Sequence, residues 1–465
     1  MWPGPARRRG RAGHGGGRGR GVSPAEVARV RRAQVRAAPW PYGELDVAGL
    51  RRAGRLGVPF REMVLKVHQR CNLACDYCYV YEHADQSWRD RPRVMSDAVR
   101  DAALGRFAEH ARRHGLKRVR VVLHGGEPLL YGRERLAELA GRARAAFPAG
   151  CAVEIGMQTN GVLLDEATVS MLVECDIKVG VSVDGVAVEH DRHRRLPDGR
   201  GSFAAVERGL AILRKRENVR SYAGLLCTIS AGTDPISCYR QLARFEPPMI
   251  DLLLPHANWE VPPWRPGGLG NANANADLNA NANAHANAYA AWLIAVFDEW
   301  YAETAPPRIR LFDDAISLVL GGASRGEQLG LSPSGVVVVE SDGAIEQVDA
   351  LKSTYPGACA TGLDVFGDDL DAALDDPGVV ARQIGRAALS AECLSCPAVA
   401  FCGGGHYAHR YRRGVGFRAP SVYCADLRIF VQHVHERVTA DVRRIRDSSP
   451  GATPGELYED DQQVV

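Results

Sequence analysis

Six short apolar segments alternate with amphipathic, helix-like segments between about residues 62 and 254. The apolar segments are rich in β-branched residues and cover positions 63–68, 119–124, 153–158, 179–183, 224–229 and 250–254. Amphipathic stretches such as 97–114, 133–146 and 203–216 lie between them. Strands that alternate with helices are typical of parallel sheets, because each helix returns the chain to the same end of the sheet. The pattern predicts an α/β fold built as a partial (β/α)6 barrel.

Polar or cysteine-containing segments follow the first four predicted strands. They are Cys71, Gly125-Gly126-Glu127-Pro128, Thr159-Asn160-Gly161 and Ser182-Val183-Asp184-Gly185. The loops at the carboxyl ends of parallel strands meet on one face of a barrel, and that face carries the chemistry of such folds. We therefore expect these four segments to form a single site.

The cysteines indicate what kind of chemistry this site supports. Twelve cysteines without an apolar signal-peptide core are expected to be metal ligands or buried thiols rather than disulfides. Cys71, Cys75 and Cys78 supply three thiolates in one short loop, which leaves one iron of a 4Fe–4S cluster without a protein ligand. A structural zinc site needs four ligands, and His68 or His83 would have to complete it. The position after a strand, followed by the Gly-Gly-Glu segment, favours the cluster.

The segment Cys71-Asn-Leu-Ala-Cys75-Asp-Tyr-Cys78 resembles the CxxxCxΦC signature of radical S-adenosylmethionine (SAM) enzymes. The resemblance implies that SAM binds the open iron through its amino and carboxylate groups. It also implies that the Tyr77 backbone touches adenine, that residues 125–127 border the methionine amino group, and that Ser182 and Arg194 reach the carboxylate or ribose. The SAM-binding residues expected in this way are Tyr77, Gly125, Gly126, Glu127, Asn160, Ser182 and Arg194.

A second group of cysteines lies near the carboxyl end of the chain and consists of Cys393, Cys396, Cys402 and Cys424. Four thiolates can saturate a cluster. The spacing resembles the SPASM extension of radical SAM peptide maturases, which has seven cysteines and two auxiliary clusters when complete. Here His406 stands where a further cysteine would follow, so we expect one auxiliary 4Fe–4S cluster in a SPASM/twitch-like domain. A zinc ribbon, or Cys359 as an additional ligand, remains an alternative.

Six longer sequence segments resemble those of the FxsB-type maturases, a narrower group that acts on ribosomally made precursor peptides. These segments are residues 64–71, 78–88, 253–259, 339–343, 347–352 and 402–411. The resemblance implies reductive cleavage of SAM to a 5′-deoxyadenosyl radical, hydrogen abstraction from a peptide residue and formation of an intramolecular carbon–carbon (cyclophane) crosslink. It also implies two partners, a precursor peptide and a low-potential electron donor such as ferredoxin or flavodoxin.

Other functions remain open on the sequence. The same core could form thioethers, decarboxylate a peptide, or oxidise a Ser or Cys in a sulfatase, and an iron–sulfur electron carrier or redox sensor would need no SAM pocket.

Crosslinking also requires a proton acceptor. Our candidates are Glu340, Asp342, Asp349 and His256, although each of them could equally serve in a turn, a cap or the protein surface.

Charge and composition bound the remaining possibilities. The 465-residue chain has a net charge of +3, but residues 1–38 contain ten Arg and one Glu, so the rest of the chain carries −6. We therefore expect no nucleic-acid partner, no membrane insertion and a cytoplasmic protein. The expected divisions are an Arg/Gly-rich, largely disordered region (1–60), the barrel (61–260), a linker with an Asn/Ala insert and bridging helices (261–324), the auxiliary-cluster domain (325–436), and a helix end with a disordered acidic tail (437–465).

Overall fold

One ten-stranded sheet organises the part of the chain that the computed structural model describes, residues 45–55, 57–266 and 287–448. The strand order is β10-β9-β8-β1-β2-β3-β4-β5-β6-β7. The strands are β1 (Glu62–His68), β2 (Arg118–Gly125), β3 (Ala152–Thr159), β4 (Ile177–Ser182), β5 (Tyr222–Thr228), β6 (Met249–Leu253), β7 (Arg308–Ile309), β8 (Val336–Val339), β9 (Ala344–Glu346) and β10 (Ala360–Asp364). Strands β1 to β6 are neighbours in chain order and pair in parallel. The six predicted strands and the partial barrel are confirmed.

The helices connect the strands as the amphipathic pattern predicted. They are α1 (Val47–Arg52), α2 (Asp97–Arg113), α3 (Arg133–Ala146), α4 (Glu166–Glu174), α5 (Ala187–His193), α6 (Phe203–Leu213), α7 (Pro235–Ala243), α8 (Ala288–Tyr301), α9 (Arg310–Val319), α10 (Pro377–Ala381), α11 (Ala391–Leu394), α12 (Val399–Cys402) and α13 (Cys424–Ser448). Several begin at side chains that accept a hydrogen bond from the first turn, such as Ser96 before α2 and Asp165 before α4. The predicted stretch 203–216 ends earlier as a helix, at Leu213.

The sheet continues across the predicted boundary at residue 325. Strand β8 pairs in parallel with β1, and β9 and β10 follow it as antiparallel strands. The chain therefore returns to the first barrel strand before it enters the cysteine-rich segment. Helix α13 packs against α8 and α9 on the other side, which fixes that segment to the barrel. The domain limits themselves stay a prediction.

Burial follows the expected pattern for a barrel with helices outside. Burial alternates along β2 and along the first residues of β1, whereas residues 65–68 of β1 are all buried. Met63, Leu65, Val121 and Leu123 lie fully buried in the core. No helix within the described ranges is long and apolar enough to cross a membrane. The predicted Arg/Gly-rich arm as far as residue 44, the Asn/Ala insert at 267–286 and the tail from 449 lie outside the described residues.

Candidate active site

Cys71, Cys75 and Cys78 lie in the loop directly after β1, as predicted, and all three line a cavity of about 200 Å³. Burial raises the pKa of Cys71 to about 11 and that of Cys75 to about 12. These thiols therefore stay protonated at neutral pH until a metal displaces their protons. Neither His68 nor His83 lines the cavity, so neither of the two predicted fourth zinc ligands reaches the space beside the three sulfurs. This donor set fits a 4Fe–4S cluster with one open iron better than a zinc site.

Gly125 and Gly126 allow the loop after β2 to approach the loop after β1. The Gly126 amide donates to the His68 carbonyl at 2.8 Å, and the next amide donates to the Arg70 carbonyl at 3.0 Å. A Cβ at Gly125 would lie 2.2 Å from the His68 carbonyl oxygen, and one at Gly126 would lie 2.5 Å from the Arg70 carbonyl. Both glycines line the cavity. Only glycine fits this close contact between backbones.

Glu127 is fully buried and does not line the cavity. Its carboxylate accepts hydrogen bonds from the Leu129 amide at 3.0 Å, the Thr159 hydroxyl at 2.7 Å and the Asn160 amide at 2.8 Å. The carboxylate therefore joins the loop after β2 to the loop after β3. Its predicted contact with the methionine amino group stays a prediction, and the hydrogen bonds indicate that Glu127 positions the two loops.

Tyr77, Asp184 and Arg194 form a buried polar cluster at the edge of the cavity. The Tyr77 hydroxyl donates to Asp184 and accepts from Arg194 at 2.7 Å, and Arg194 lies 3.9 Å from Asp184. Asp184 also accepts from the Thr228 amide at 3.1 Å, which ties the cluster to β5. Tyr77 and Arg194 line the cavity. A fixed cation at this edge suits a carboxylate ligand.

Asn160 and Ser182 also line the cavity. The Asn160 side chain donates to Asn72 at 2.7 Å and lies 3.5 Å from the Cys71 sulfur. Ser182 accepts a hydrogen bond from Gln158 at 3.0 Å. The residues predicted from the signature are thus brought to one cavity, with Glu127 behind its wall.

The four carboxyl-terminal cysteines line a second cavity of about 270 Å³. Helix α11 supplies Cys393, Cys396 follows that helix, α12 ends at Cys402, and the 25-residue helix α13 begins at Cys424. Gly403 has a φ of +62°, which lets the chain reverse directly after Cys402. Burial, with smaller contributions from Cys393 and Cys396, raises the pKa of Cys424. Four converging thiols around a space of this size fit an auxiliary cluster.

Cys359 lies elsewhere. It is buried, donates to the Val348 carbonyl at 3.3 Å, and is not among the residues that line either cysteine cavity. The described geometry therefore gives it no contact with the four-cysteine group.

Three of the proton-acceptor candidates lie in a buried ion-pair network beside β1, and none of them lines the three-cysteine cavity. Asp349 pairs with Lys66 at 2.6 Å and Lys352 at 3.0 Å, and Glu340 pairs with Lys352. Asp342 pairs with Arg91 at 2.8 Å.

Burial raises the pKa of Glu340, but Arg91 and Lys352 outweigh this effect and lower the pKa to about 2. The same balance, set by Lys352 and Lys66, lowers the pKa of Asp349. Carboxylates paired in this way are weak proton acceptors at neutral pH. Their catalytic assignment stays a prediction.

His256, the fourth candidate, follows β6 and lines the three-cysteine cavity. Burial lowers its pKa to about 3, with a further contribution from His406, so the imidazole is neutral. Its ring packs edge-on against Tyr79 with 4.8 Å between the centroids.

The cavity also uses residues that the sequence reasoning did not single out as site residues. Gln158, Thr228 and His124 lie at or next to strand ends and line the wall. His124 is in contact with the buried Lys66 at 3.3 Å, and burial lowers its pKa to about 4. The position at the carboxyl end of a predicted strand was the available signal for these residues.

The sequence of the barrel is similar to that of a known superfamily. Residues 65–226 match the sequence profile of the Radical SAM superfamily. The chain contains a radical SAM domain. The protein is therefore an enzyme whose cofactors are SAM and 4Fe–4S clusters. Which cysteines hold each cluster stays a prediction. We call the 200 Å³ cavity the SAM cavity, because six of the predicted SAM-binding residues line it.

Two curated relatives mature sulfatases under anaerobic conditions. The cysteine-type anaerobic sulfatase-maturating enzyme of Clostridium perfringens strain 13 is 25% identical over 294 residues, which is 63% of this chain and 74% of that enzyme. The serine-type enzyme of Bacteroides thetaiotaomicron is 32% identical over 157 residues, which is 34% of this chain and 37% of that enzyme.

Solved structures share the fold. A structure of anSMEcpe with bound AdoMet and the Cp18Cys peptide has a TM-score of 0.68 at 21% identity and covers 83% of this chain and 100% of its own. Streptococcus suis SuiB bound to its precursor peptide SuiA has a TM-score of 0.50 at 16% identity and covers 81% of this chain and 78% of its own. At these identities the likeness shows a common architecture of barrel and following segment.

Proposed function

We propose that this radical SAM enzyme is a peptide maturase that forms an intramolecular carbon–carbon crosslink in a ribosomal precursor peptide. The observation that carries the proposal is the pair of cysteine cavities, one lined by three cysteines together with the predicted SAM-binding residues and one lined by four cysteines. When bound, SAM and its cluster supply a hydrogen-atom acceptor strong enough for an unactivated C–H bond, and a second cluster supplies an acceptor for the remaining electron.

The balance of the reaction explains why two metal sites are useful. Joining an aromatic ring carbon to a β-carbon removes one hydrogen from each, so the peptide loses two hydrogens in total. One leaves as a hydrogen atom, and the other leaves as a proton and an electron. The protein must therefore offer a proton acceptor. Of the four predicted candidates, Glu340, Asp342 and Asp349 are held in ion pairs outside the SAM cavity, and His256 lines it.

The residues around the SAM cavity bind and orient rather than react. Arg194, held by Tyr77 and Asp184, presents a fixed positive charge toward a carboxylate. The backbone contact at Gly126 holds the cysteine loop against the wall. Burial of this wall keeps water and stray C–H groups away from a reactive centre.

A larger neighbouring cavity of about 520 Å³ supports a peptide as substrate. It shares Tyr77 and Thr228 with the SAM cavity, so the two spaces adjoin. Its wall combines the apolar side chains of Ile229, Trp264 and Tyr289 with charged groups. A mixed wall of this kind suits a short peptide segment that carries an aromatic side chain.

Sulfatase maturation is the second candidate, because the Clostridium perfringens relative named above matches along 74% of its length. In that case the substrate would be a Ser or Cys side chain that is oxidised to an aldehyde. The auxiliary site and the SAM cavity would serve this reaction equally well.

The test is anaerobic incubation of the reconstituted enzyme with SAM, dithionite and co-encoded small peptides, with sulfatase-derived Ser and Cys peptides in parallel. We expect 5′-deoxyadenosine together with a precursor peptide that has lost two hydrogens and gained a crosslink visible by fragmentation. Cys75→Ala abolishes both products, whereas Cys151→Ala, at a half-buried cysteine outside both groups, leaves them unchanged.

Two outcomes would contradict the crosslinking proposal. An aldehyde in a sulfatase peptide, trapped by a hydrazide reagent, with unmodified precursor peptides would assign the second candidate. Iron-loaded enzyme that cleaves SAM but modifies neither peptide class would refute both.

A further inference from the structure

Three histidines meet between the SAM cavity and the four-cysteine segment. They are His256, which follows β6, His406, which directly precedes the short 3₁₀ turn Tyr407–Arg410, and His409, which lies within that turn. One ring nitrogen from each lies within 4.8 Å of the others. The ring centroids are 5.7 Å apart for His256 and His406, 6.0 Å for His256 and His409, and 4.9 Å for His406 and His409.

The polar atoms of this group are buried and lack partners. His409 is only 3% exposed, and neither of its ring nitrogens has a hydrogen-bond partner. The Nδ1 atoms of His256 and His406 are also buried without a partner. An unpaired buried imidazole nitrogen costs free energy comparable to a lost hydrogen bond. Each ring thus has an unpaired buried nitrogen, and one ligand placed among the three rings would satisfy one nitrogen of each.

The imidazoles are in the form that binds metals. Burial lowers the pKa of His256 to about 3 and that of His406 to about 4, and it lowers the pKa of His409 as well. All three rings are therefore neutral at pH 7. No carboxylate from the described residues pairs with any of them, in contrast to His110 and His114, which both contact Asp371.

The backbone around the three rings is held in place. Arg410 donates to the carbonyls of Gly403, Gly404 and Gly405, which fixes the loop that leads to His406. On the barrel side, the Tyr423 hydroxyl donates to the Pro255 carbonyl at 2.9 Å, directly before His256. The histidines are thus presented by a rigid scaffold, as a metal site requires.

We propose that His256, His406 and His409 bind a zinc ion, a metal site separate from both cysteine groups. Zinc–nitrogen bonds are about 2.0–2.1 Å long, so two nitrogens on a tetrahedral ion lie about 3.4 Å apart. The ring nitrogens lie within 4.8 Å of one another. Side-chain rotations therefore need to shorten these distances by at most about 1.4 Å. Three protein ligands leave one position for water or for a donor atom of a bound substrate.

The location gives this ion two consequences. Because His256 lines the SAM cavity, the open position lies next to the reacting space. Because His406 and His409 belong to the cysteine-rich segment, the ion also joins that segment to the barrel. In this assignment His256 is a metal ligand and not the proton acceptor.

The test titrates Zn²⁺ into the full-length enzyme after anaerobic reconstitution, with both cluster sites filled and verified by iron and sulfide analysis. A chromophoric chelator reports affinity. We expect one zinc per chain beyond the clusters, with affinity lowered at least about 100-fold in His409→Gln, since loss of a direct ligand exceeds the 10- to 100-fold effect of outer contacts. His433→Gln is the matched control, because His433 pairs with Asp298 on α8.

X-ray absorption at the zinc edge of the wild-type enzyme keeps the proposal testable even if a variant folds poorly. Three nitrogen scatterers at about 2.0 Å without sulfur are expected. Sulfur at about 2.3 Å would place the zinc among the cysteines and overturn the proposal. Absence of stoichiometric zinc, or equal affinity in His409→Gln and wild type, would overturn it as well. None of these readouts depends on peptide modification.

Discussion

Replacing Gly126 by alanine tests whether the cysteine loop and the SAM wall depend on close backbone contact. The new Cβ would lie 1.9 Å from the Tyr81 hydroxyl and 2.5 Å from the Arg70 carbonyl. The tyrosine can rotate away, but the Arg70 carbonyl is backbone. Restoring an ordinary contact of about 3.4 Å therefore separates the two loops by about 0.9 Å.

The cost follows from the hydrogen bonds that this movement breaks. The amide of Gly126 bonds to His68 at 2.8 Å and the amide of Glu127 bonds to Arg70 at 3.0 Å. Both distances would exceed about 3.6 Å, and each lost bond costs about 1 kcal/mol. Overpacking adds about 1–3 kcal/mol. We expect Gly126→Ala to destabilise the protein by about 3–5 kcal/mol and to weaken SAM binding.

Urea denaturation and calorimetric titration with SAM measure the two effects. Gly105→Ala is the matched control, because Gly105 lies in α2 with open space around its Cα, and alanine there is neutral or stabilises by about 0.5–1 kcal/mol. A Gly126→Ala protein with the wild-type urea midpoint and wild-type SAM affinity would refute the close-contact argument.

Three further changes probe other parts of the structure. Lys352→Met removes a cation from the buried network and leaves Glu340 and Asp349 less compensated, so thermal unfolding should show a loss of about 3–5 kcal/mol; an unchanged melting temperature would contradict this. Cys396→Ala should lose auxiliary-cluster iron and keep the SAM-sensitive cluster, and loss of both would argue against separate sites.

His190→Gln, the third change, tests how the stability of the fold depends on pH. Burial, with a contribution from Arg194, lowers the folded-state pKa of His190 to about 3 from an ordinary value of 6.5. The unfolded state therefore binds the proton first as the pH falls, and stability decreases between about pH 6.5 and 3, by about 2 kcal/mol from pH 7 to 5. Urea unfolding of His190→Gln should show a shallower acid dependence; an unchanged slope would assign it to other groups.

The fold could be predicted because its signals are local. The period of the apolar segments and the turns between them marked β1 to β6, and the elements differ from the prediction by one or a few residues at their ends. The return of β8 to β1 could not be predicted. It depends on pairing between residues 62–65 and 336–339, which are far apart in sequence and carry no reciprocal pattern.

The site was predictable where spacing carries the chemistry and less so where packing does. The cysteines and glycines lie as their spacing indicated. For Glu127, Glu340 and Asp349 the residue type is visible in the sequence but the partner is not. The structure supplies amide donors or cations that change what each carboxylate can do. His409 was not predicted to be a site residue, because nothing in the sequence indicates that His256 lies beside it.

Electron paramagnetic resonance of the reduced, reconstituted enzyme distinguishes the two iron–sulfur sites. We expect two 4Fe–4S signals per chain, of which SAM shifts one. Cys75→Ala should remove the SAM-sensitive signal, and Cys396→Ala should remove the other. A single cluster per chain, or two signals that SAM leaves unchanged, would contradict a radical SAM site beside a saturated auxiliary cluster.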